Sequence, residues 1–519
     1  MLLSSSFFSS LSRIFLQRSL SLALNLLAPS VLLFSVGWLV YTRFFHPLSR
    51  IPGPFWASVS RYWLGYQVFT GKAEFVQRRL HEIYGPLVRI APDEVSVSDP
   101  AAVKIIYGIK SGFTKTDFYP PFASGISPHG DHFAQQDEAK HSARRKLVNN
   151  IYSMSSVLES EQYIDTCTEV FLSKMAKFAE KGQVVDLGEW IQWYTFDVVG
   201  ELFFGQQFGF MRDEHDFGNY ILSLDTMMPT TTLLCVLPVF LRYFQVFLGL
   251  LFPSIRKAVE GFNEIRRAGK FWVDHRLQQM ADRKVNRSDL LDKLFKVRQN
   301  KSDFDIPEIQ NESVVAIFAG SDTTAIAIRS ILYYLMKTPD AYAKLMEEIN
   351  KADSDGRLSK PHVKYNEAIK LPYLVACCKE GIRMHPSVGL SLPRYVPPGG
   401  SQIAGRFFPA GSKVGISAPV LHSNTDIFGA DAAVYNPDRW IRDPKAAAEM
   451  DRYMLHFGAG SRTCIGKNIS LAEIHKMIPQ LLRSFKLELV DQQKEWTTHN
   501  FWFNKQTGIE VRVTSRRDI

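Results

Sequence analysis

Residues 457–466 read Phe-Gly-Ala-Gly-Ser-Arg-Thr-Cys-Ile-Gly, with one cysteine, Cys464, among three glycines. Glycine lets a backbone bend sharply and approach a partner closely, so the cysteine is expected to project from a stiff loop. Backbone N–H groups of such a loop can turn toward the sulfur, where they lower the pKa of a thiol and tune a bound metal ion. The stretch therefore predicts a cysteine that ligates a metal.

Two glycine-rich phosphate-binding loops compete with this interpretation, and both fail on spacing. A dinucleotide-binding loop would need glycine at position 463, where the chain has Thr463. A Walker A loop would need glycine at position 461 and serine or threonine at position 468, where the chain has Ser461 and Asn468. Neither phosphate-binding function is predicted.

The stretch resembles the cysteine loop of the cytochrome P-450 superfamily, the haem-thiolate monooxygenases, whose pattern is F-x-x-G-x-R-x-C-x-G. All five fixed positions are filled, by Phe457, Gly460, Arg462, Cys464 and Gly466. The resemblance implies that Cys464 is the axial thiolate of haem b iron, a ligand that favours O–O cleavage. It also implies that Phe457, Arg462 and Gly466 border the cofactor.

Two further basic motifs resemble the family's contacts to the haem propionates. The segment 141–146 reads His-Ser-Ala-Arg-Arg-Lys, and His141 and Arg145 are four residues apart, on one face of a predicted helix. The family usually has tryptophan at the first position, but histidine can also donate a hydrogen bond to a carboxylate. Arg394, in the segment Leu-Pro-Arg, matches the strand arginine on the other side of the propionates.

A long helix is predicted from Pro307 to about Lys337 by a proline suited to a first turn and by the apolar period that follows. Within it, residues 319–324 read Ala-Gly-Ser-Asp-Thr-Thr, which resembles the family's oxygen-activating motif. The small Ala-Gly pair leaves room beside the helix. Asp322 and Thr323 form an acid–alcohol pair that can relay protons, and they are the predicted catalytic residues.

An acid and an arginine three residues apart, Glu380 and Arg383, share a helical face. The resemblance adds Arg439 as the third member of a buried network that braces the cysteine loop. An isolated exposed pair of this kind would contribute little.

The N-terminal part of the chain predicts a membrane anchor. The net charge of the 519 residues is +9, and six basic residues but no acidic residue precede Glu74. Residues 21–41 are uncharged and long enough to span a bilayer. A cleaved secretory signal and a mitochondrial transit peptide are alternatives; the first lacks a cleavage site, and the second does not explain the span. The expected organisation is an N-terminal segment (1–20), a transmembrane anchor (21–41), a proline-rich hinge (42–56) and one haem domain (57–519).

A second apolar segment, residues 233–252, contains Pro238 and one charge, Arg242. Hydropathy alone would allow a second span. Its position in the chain resembles the family's substrate-access lid, and an arginine is costly in a bilayer core, so a lid is predicted.

Shorter elements complete the expected fold, which is mainly α with small β-sheets. Residues 85–99 predict a β-hairpin, and the aromatic loop 112–122 resembles a substrate-recognition loop. An amphipathic helix is predicted over 467–484, and Phe501 to Phe503 are expected in a terminal hairpin. The five cysteines show no disulfide or zinc spacing, which suits a reducing compartment.

The resemblance implies a monooxygenase that inserts one oxygen atom of O₂ into a lipophilic small molecule. Residues 46–54 (His-Pro-Leu-Ser-Arg-Ile-Pro-Gly-Pro) and 455–460 (Leu-His-Phe-Gly-Ala-Gly) resemble those of microsomal filamentous-fungal members of the pisatin demethylase-like group, many of which serve secondary metabolism. The expected electron donor is a membrane-bound NADPH-cytochrome P-450 reductase, with cytochrome b5 as a second donor, docking near Lys140, Arg144 and Lys146. The expected location is the endoplasmic reticulum membrane, with one span and a cytosolic catalytic domain. Nucleic acid is not an expected partner.

Two other classes share the cysteine loop. A haem-thiolate isomerase or dehydratase needs no external electrons and often lacks the acid–alcohol pair, which is intact here. A non-catalytic haem sensor or carrier would not consume NADPH in response to a substrate.

Overall fold

The computed structural model describes residues 25–282, 287–301 and 303–516. The predicted N-terminal segment and the first four residues of the predicted anchor lie outside these ranges.

The α-helices, in chain order, are α1 (Asn25–Phe45, whose last turn Tyr41–Phe45 is a π-turn), α2 (Phe55–Val59), α3 (Tyr62–Phe69), α4 (Ala73–Tyr84), α5 (Ala101–Tyr107), α6 (Glu138–Val148), α7 (Met154–Leu158), α8 (Glu161–Lys181), α9 (Leu187–Val199), α10 (Phe210–Asp213), α11 (Tyr220–Val236), α12 (Val239–Gly249), α13 (Pro253–Ala281), α14 (Leu290–Asn300), α15 (Ile306–Lys337), α16 (Pro339–Ser354), α17 (Tyr365–Ala368), α18 (Pro372–Met384), α19 (Ala418–His422), α20 (Thr425–Phe428), α21 (Pro444–Arg452) and α22 (Lys467–Ser484).

The strands are β1 (Leu87–Ala91), β2 (Glu94–Val97), β3 (Thr114–Lys115), β4 (Val184–Asp186), β5 (Arg394–Tyr395), β6 (Ser401–Ile403), β7 (Arg406–Phe408), β8 (Lys413–Gly415), β9 (Phe485–Leu489), β10 (Thr497–Phe501), β11 (Phe503–Thr507) and β12 (Glu510–Ser515). They form a five-stranded sheet in the order β1-β2-β8-β5-β3, a three-stranded sheet in the order β4-β12-β9, and the hairpins β6-β7 and β10-β11. The predicted mainly α architecture with small sheets is confirmed, as are the predicted hairpins near residues 85–99 and 501–503.

The helix α15 runs through the largest hydrophobic core and packs against α9, α13 and α18. It begins at Ile306, with Pro307 in its first turn, and ends at Lys337, as predicted. By length and composition, two helices of the described chain could cross a membrane, α1 and α15. In the most apolar 18-residue stretch of each helix, 72% is buried in α15 but only 6% in α1. The helix α15 is therefore a core helix, and α1 is the candidate anchor.

The end of α1 is attached to the sheet. The helix continues to Phe45, four residues into the predicted hinge. Thr42 is fully buried, and its carbonyl accepts a hydrogen bond from Arg89 Nη1 at 2.8 Å. This contact fixes the direction in which α1 leaves the sheet.

The apolar segment 233–252 is not one continuous helix. The helix α11 ends at Val236, Pro238 follows, and α12 begins at Val239. Arg242 Nη1 donates to the carbonyl of Asp117 at 2.7 Å, so its charge is bound to the domain. The segment is therefore two helices joined at Pro238 and not the single long helix of a second span, and its role as a lid stays a prediction.

Candidate active site

The cysteine loop is closed by backbone hydrogen bonds. The N–H of Cys464 donates to the carbonyl of Phe457 at 2.8 Å. Gly460 has φ +65°, and a Cβ there would lie 1.8 Å from the carbonyl oxygen of Tyr107, so only glycine fits. Directly after the loop, α22 begins at Lys467. The loop is therefore held from both of its ends.

The Cys464 side chain is solvent-accessible although the loop lies against the helical core. Burial raises the pKa of its thiol, while the N–H groups of Gly466 and Lys467 and the charge of Arg145 act to lower that pKa. The backbone N–H donors expected from the sequence do point to the sulfur, but the effect of the surrounding protein atoms on the pKa is larger than theirs. An accessible sulfur among surrounding protein atoms is what a ligand facing an internal space requires.

The middle of α15 exposes a short stripe although the residues on both sides of it are buried. Ala319 is exposed, and Gly320 and Thr323 are half-buried. The Thr323 hydroxyl donates to the carbonyl of Ala319 at 2.9 Å. A core helix with an exposed alanine at its centre borders an internal space, in agreement with the room predicted beside the Ala-Gly pair.

Two contacts hold α15 against the first turns of α22. Thr324 Oγ1 lies 3.1 Å from Ser470 Oγ. Further along, the Tyr152 hydroxyl donates to Glu312 Oε2 at 3.1 Å, and Asn468 donates to the carbonyl of Tyr152 at 2.8 Å. The part of α15 from Glu312 to Thr324, which includes Ala319, is therefore held next to α22, the helix that follows the cysteine loop.

Two buried cations lie opposite each other on neighbouring strands of the five-stranded sheet. Lys115 and Arg394 are direct partners in the antiparallel pair of β3 and β5, and like charges at such positions destabilise a sheet. Burial and the charges of Arg394 and Arg462 hold the pKa of Lys115 well below its ordinary value. Within the described residues, Lys115 donates to the Phe133 carbonyl and Arg394 to the Tyr119 hydroxyl, and neither pairs with a carboxylate. An anionic group would relieve this repulsion.

The basic motif 141–146 lies in α6, which begins at Glu138, three residues before the motif. His141 is buried, and burial together with the charges of Arg462 and His132 lowers its pKa to about 3. The neutral ring keeps one N–H to donate. Arg145 Nη1 donates to the carbonyl of Thr463 at 2.7 Å, so this residue reaches the cysteine loop.

Arg462 is already paired within the protein, because its Nη2 donates to Glu138 Oε1 at 2.7 Å. Its role as a cofactor contact therefore stays a prediction. A Cβ at Gly466 would lie 3.9 Å from Cys464 Sγ, an ordinary contact distance. Phe457 lies beside Lys467, whose Nζ is 5.8 Å from the ring centre.

The predicted acid–alcohol pair is not in mutual contact. Asp322 is buried and accepts a hydrogen bond from the side chain of Gln192 in α9, away from the exposed stripe. Burial raises the pKa of the Asp322 carboxyl above its ordinary value, against the opposing effect of Lys505. Successive helical residues point about 100° apart, which explains why Thr323 faces the internal space and Asp322 does not.

The predicted network of Glu380, Arg383 and Arg439 is present and buried, with the Glu380 carboxylate wholly enclosed. Glu380 Oε1 accepts from Arg383 Nη2 at 2.8 Å and from Arg439 Nε at 2.9 Å. Arg383 Nη1 also donates to the carbonyl of His422 at 2.8 Å, and His422 Nε2 accepts the N–H of Leu455 at 2.9 Å. A chain of hydrogen bonds therefore leads from the acid to Leu455, two residues before the cysteine loop.

Sequence reasoning missed several residues at this site. Lys115 is one, although it lies inside the aromatic loop, because only the sheet register places it opposite Arg394. Another is Glu312, whose Oε1 lies 2.8 Å from His132 Nε2. Although burial acts to lower it, the Glu312 carboxylate raises the pKa of His132. The one signal in the sequence was spacing, since Glu312 is seven residues before Ala319 and thus on the same helical face.

Comparison with known proteins agrees with this geometry. The family model for cytochrome P450 matches residues 51–512. The cytochrome P450 monooxygenase gsfF of Penicillium aethiopicum is 43% identical over 487 residues, 93% of this chain and 96% of the relative. Pisatin demethylase of Fusarium vanettenii is 34% identical over 491 residues, 93% of each chain. The cytochrome P450 monooxygenase ACRTS1 of Alternaria alternata is 36% identical over 375 residues, 72% of this chain and all of the relative.

A mainly helical fold with an accessible cysteine in a glycine-rich loop, directly before the helix that contacts its longest core helix, is the fold and site of a haem-thiolate oxidoreductase. The chain belongs to the cytochrome P450 family, and its relatives are fungal monooxygenases. The residues present fit the family's cofactor, because they offer one accessible thiol and a surplus of buried cations. Membership implies a haem-thiolate cofactor, a redox partner and a lipophilic substrate.

Proposed function

We propose that this protein is a membrane-anchored monooxygenase that inserts one oxygen atom of O₂ into a lipophilic small molecule, in fungal secondary metabolism. The observation that carries the proposal is the accessible Cys464 thiol directly before α22, the helix that contacts α15 beside the exposed stripe of Ala319 and Thr323. When bound, haem b supplies the activation of dioxygen. The resemblance to the fungal relatives supports the metabolic assignment.

Cys464 would hold the iron, and the cations around the sheet would hold the propionates. Lys115 and Arg394 repel each other in the absence of an anion, and a carboxylate between them would convert this repulsion into two charge-assisted hydrogen bonds. His141 and Arg145 would act from α6, which supports the predicted roles of both.

Thr323 is proposed to deliver protons at its hydroxyl, which can both donate and accept. The hydroxyl lies on the exposed stripe, next to the room left by Ala319. Asp322 is proposed to supply protons after its side chain leaves Gln192, since the raised pKa of this carboxyl makes a protonated state accessible. The apolar surroundings exclude bulk water, so positioned groups must carry the protons.

The anchor α1 and the lid are proposed to place the domain on the cytosolic face of the endoplasmic reticulum membrane. Phe240 and Tyr243 of α12 are 81% and 88% exposed, and Tyr66 and Phe69 of α3 are 63% and 69% exposed. The two surfaces are connected, because Arg61 Nε donates to the carbonyl of Val236 at 2.9 Å. Exposed aromatic side chains of this density support contact with a bilayer surface.

Electrons are proposed to come from NADPH-cytochrome P-450 reductase, with cytochrome b5 as a second donor. Lys140 and Lys146 are exposed on α6, the helix that reaches the cysteine loop. Arg144, which the sequence grouped with them, donates instead to the carbonyl of Asp303 at 2.8 Å. The proposed docking charges are therefore the two lysines.

Replacement of Thr323 by alanine tests the proposal. The protein is reconstituted with reductase, and a substrate is first selected by its haem spectral shift from terpenoid, polyketide and alkaloid intermediates. We expect near-normal NADPH consumption, more hydrogen peroxide and much less product, because a missing proton donor costs about 10²–10⁴-fold in its step.

Thr323→Ser is the matched control, since it keeps a hydroxyl at the same position and should retain most of the product per NADPH. Equal product per NADPH in Thr323→Ala and the wild type would refute the relay. A wild type that converts a shifted substrate without consuming NADPH would instead indicate an isomerase or dehydratase, and one that never converts a bound ligand would indicate a sensor.

A further inference from the structure

The lid corner, residues 235–238, is the point where α11 ends and the chain turns into α12. Backbone carbonyls at a helix end have no partner within the helix and carry partial negative charge. At the lid corner the carbonyls of Cys235, Val236 and Leu237 all accept hydrogen bonds from arginine side chains. The lid corner is therefore held by positive charge.

The two arginines that supply this charge belong to different parts of the molecule. Arg61, which directly precedes α3, donates from Nε to the Val236 carbonyl at 2.9 Å. Arg242 lies in α12, on the lid itself, and its Nη2 donates to the Cys235 carbonyl at 3.0 Å. Its Nη1 donates to the backbone carbonyl of Asp117, in the aromatic loop 112–122, at 2.7 Å. The contacts Arg61–Val236 and Arg242–Asp117 therefore join the lid to the domain.

Both arginines belong to one chain of alternating charges at the five-stranded sheet. Its members, in order, are Glu94, Arg61, Asp93, Lys413, Asp117 and Arg242. Successive members are 2.6–3.1 Å apart, except the last pair at 4.0 Å. The side chains of the three cations are only 9–13% exposed, so water and salt screen them less than the charges of a surface ion pair.

Asp117 is the residue at which the lid and the sheet meet. Its backbone carbonyl binds Arg242, and its carboxylate pairs with Lys413 of β8 at 2.9 Å. Lys413 pairs in turn with Asp93 at 3.1 Å. Although burial acts to raise it, the charges of Arg61 and Lys413 lower the pKa of Asp93 to about 2, so this acid stays ionised at neutral pH. The residue that holds Arg242 is therefore itself fixed to the sheet.

We propose that the contacts Arg61–Val236 and Arg242–Asp117 form a latch that keeps the lid closed, and that a lipophilic substrate enters and leaves only while this latch is broken. The inference rests on the proposed function, because it requires the lid to cover the way to the active site. The bonds from Arg242 to Cys235 and Leu237 lie within the lid and persist when it opens. The bond to Asp117 is therefore the one that Arg242 loses on opening.

A latch of this kind has a kinetic signature. It closes the lid over the empty protein and over the ligand-bound protein, so weakening it raises the frequency of opening in both by the same factor. The rates of ligand association and dissociation then rise together, and the dissociation constant, which is their ratio, stays unchanged. A residue that contacts the ligand would change the dissociation constant instead.

The test is Arg242→Met in the full-length haem-loaded protein, with clotrimazole, a bulky uncharged azole, as the probe. Stopped-flow absorbance of the haem gives the association rate, and a chase with excess imidazole gives the dissociation rate. Both rates should rise about 10- to 100-fold, the range for one hydrogen bond to a charged group. The dissociation constant should equal that of the wild type.

Arg256→Met is the matched control. Arg256 lies in the first turn of α13, directly after the lid; it is exposed, and among the described residues its side chain donates to the Leu250 carbonyl at 3.4 Å and not to the rest of the domain. This variant removes the same charge without touching the latch, so wild-type rates are expected. Unchanged rates in Arg242→Met would overturn the proposal, as would an equal rise in both variants or a rise of the dissociation rate alone.

Each protein is first checked for the red-shifted carbon-monoxide band. A wild type without the band refutes the proposed function, whereas a band with unchanged rates in Arg242→Met refutes the latch alone. If Arg242→Met lacks the band, Arg242→Lys takes its place, because lysine keeps the charge but loses the planar set of donors. Both rates should then rise by a smaller factor, and wild-type rates in Arg242→Lys would overturn the latch.

Discussion

Replacing Glu380 by glutamine keeps the shape of the side chain and removes its charge. The carboxylate is fully buried and accepts five hydrogen bonds. Oε1 faces the donors of Arg383, Arg439 and Asn436, and Oε2 faces Arg383 Nε and Trp440 Nε1, both within 2.9 Å. A glutamine oxygen can replace Oε1, but its NH₂ group would then point at two other donors.

Two routes lead to similar magnitudes for this substitution. Two lost hydrogen bonds to a charged group, at about 1.5–3 kcal/mol each, give about 3–6 kcal/mol. Breaking a buried ion pair by removal of one partner costs about 3–5 kcal/mol. In the variant, Arg439 still has an ion pair with Asp431 at 2.9 Å. Arg383 loses its ion pair, because Glu380 is the one carboxylate that contacts it within the described residues. We therefore expect a loss of about 3–5 kcal/mol.

The assay is urea unfolding of the purified protein in detergent, followed by circular dichroism and by the carbon-monoxide band. The matched control is Glu449→Gln. Glu449 pairs with Arg452 at the same spacing of three residues and at 2.8 Å, but the two side chains are 52% and 73% exposed. Exposed pairs contribute less than about 1 kcal/mol, so this variant should unfold almost like the wild type.

Equal unfolding midpoints for Glu380→Gln and Glu449→Gln would refute this reasoning. If instead Glu380→Gln lowers the midpoint of unfolding but the band persists until the whole protein unfolds, the acid stabilises the fold without bracing the cysteine loop. Loss of the band at a lower urea concentration than the loss of helix is the outcome that the hydrogen-bond chain through His422 and Leu455 predicts.

Three further predictions concern the thiolate, the core and the docking face. Cys464→Ser should abolish the strongly red-shifted carbon-monoxide band, since serine offers no thiolate; persistence of the band would show another ligand. Burial raises the pKa of Glu473, whose two carboxylate oxygens have no hydrogen-bond partner. As the pH rises, this carboxyl therefore ionises first in the unfolded protein, where its pKa is near 4.3. Above that pH the free energy of unfolding falls by about 1.4 kcal/mol per pH unit. Glu473→Gln should therefore gain stability over the wild type from pH 5 to pH 7 in urea titrations, and parallel pH profiles would contradict this. Reversal of Lys140 and Lys146 to glutamate should slow reduction by the reductase at low ionic strength and flatten its salt dependence in stopped-flow measurements; unchanged rates would exclude this face.

Local patterns were sufficient to predict much of this protein. The cysteine loop, the long helix α15 and the helix after the loop each depend on neighbouring residues, where glycine, proline and apolar spacing act directly on the backbone. These patterns predicted the family, the mainly α fold and the enzyme class, which the comparisons confirm. The roles of the individual site residues stay predictions.

Tertiary structure decided which charged groups meet. Lys115 lies opposite Arg394 because two short strands pair across the sheet, and Asp322 faces Gln192 because of its rotation on α15. Arg61 and Arg242 are far apart in the chain, yet both donate to carbonyls at the end of α11.

The physical reason lies in the range of the interactions. Helix and turn formation depends on side chains a few residues apart, so it can be predicted from short stretches of the sequence. The state of a buried charge depends on its distance from other charges and on the water excluded around it, and both are set by residues that are far apart in the chain and meet only in the fold.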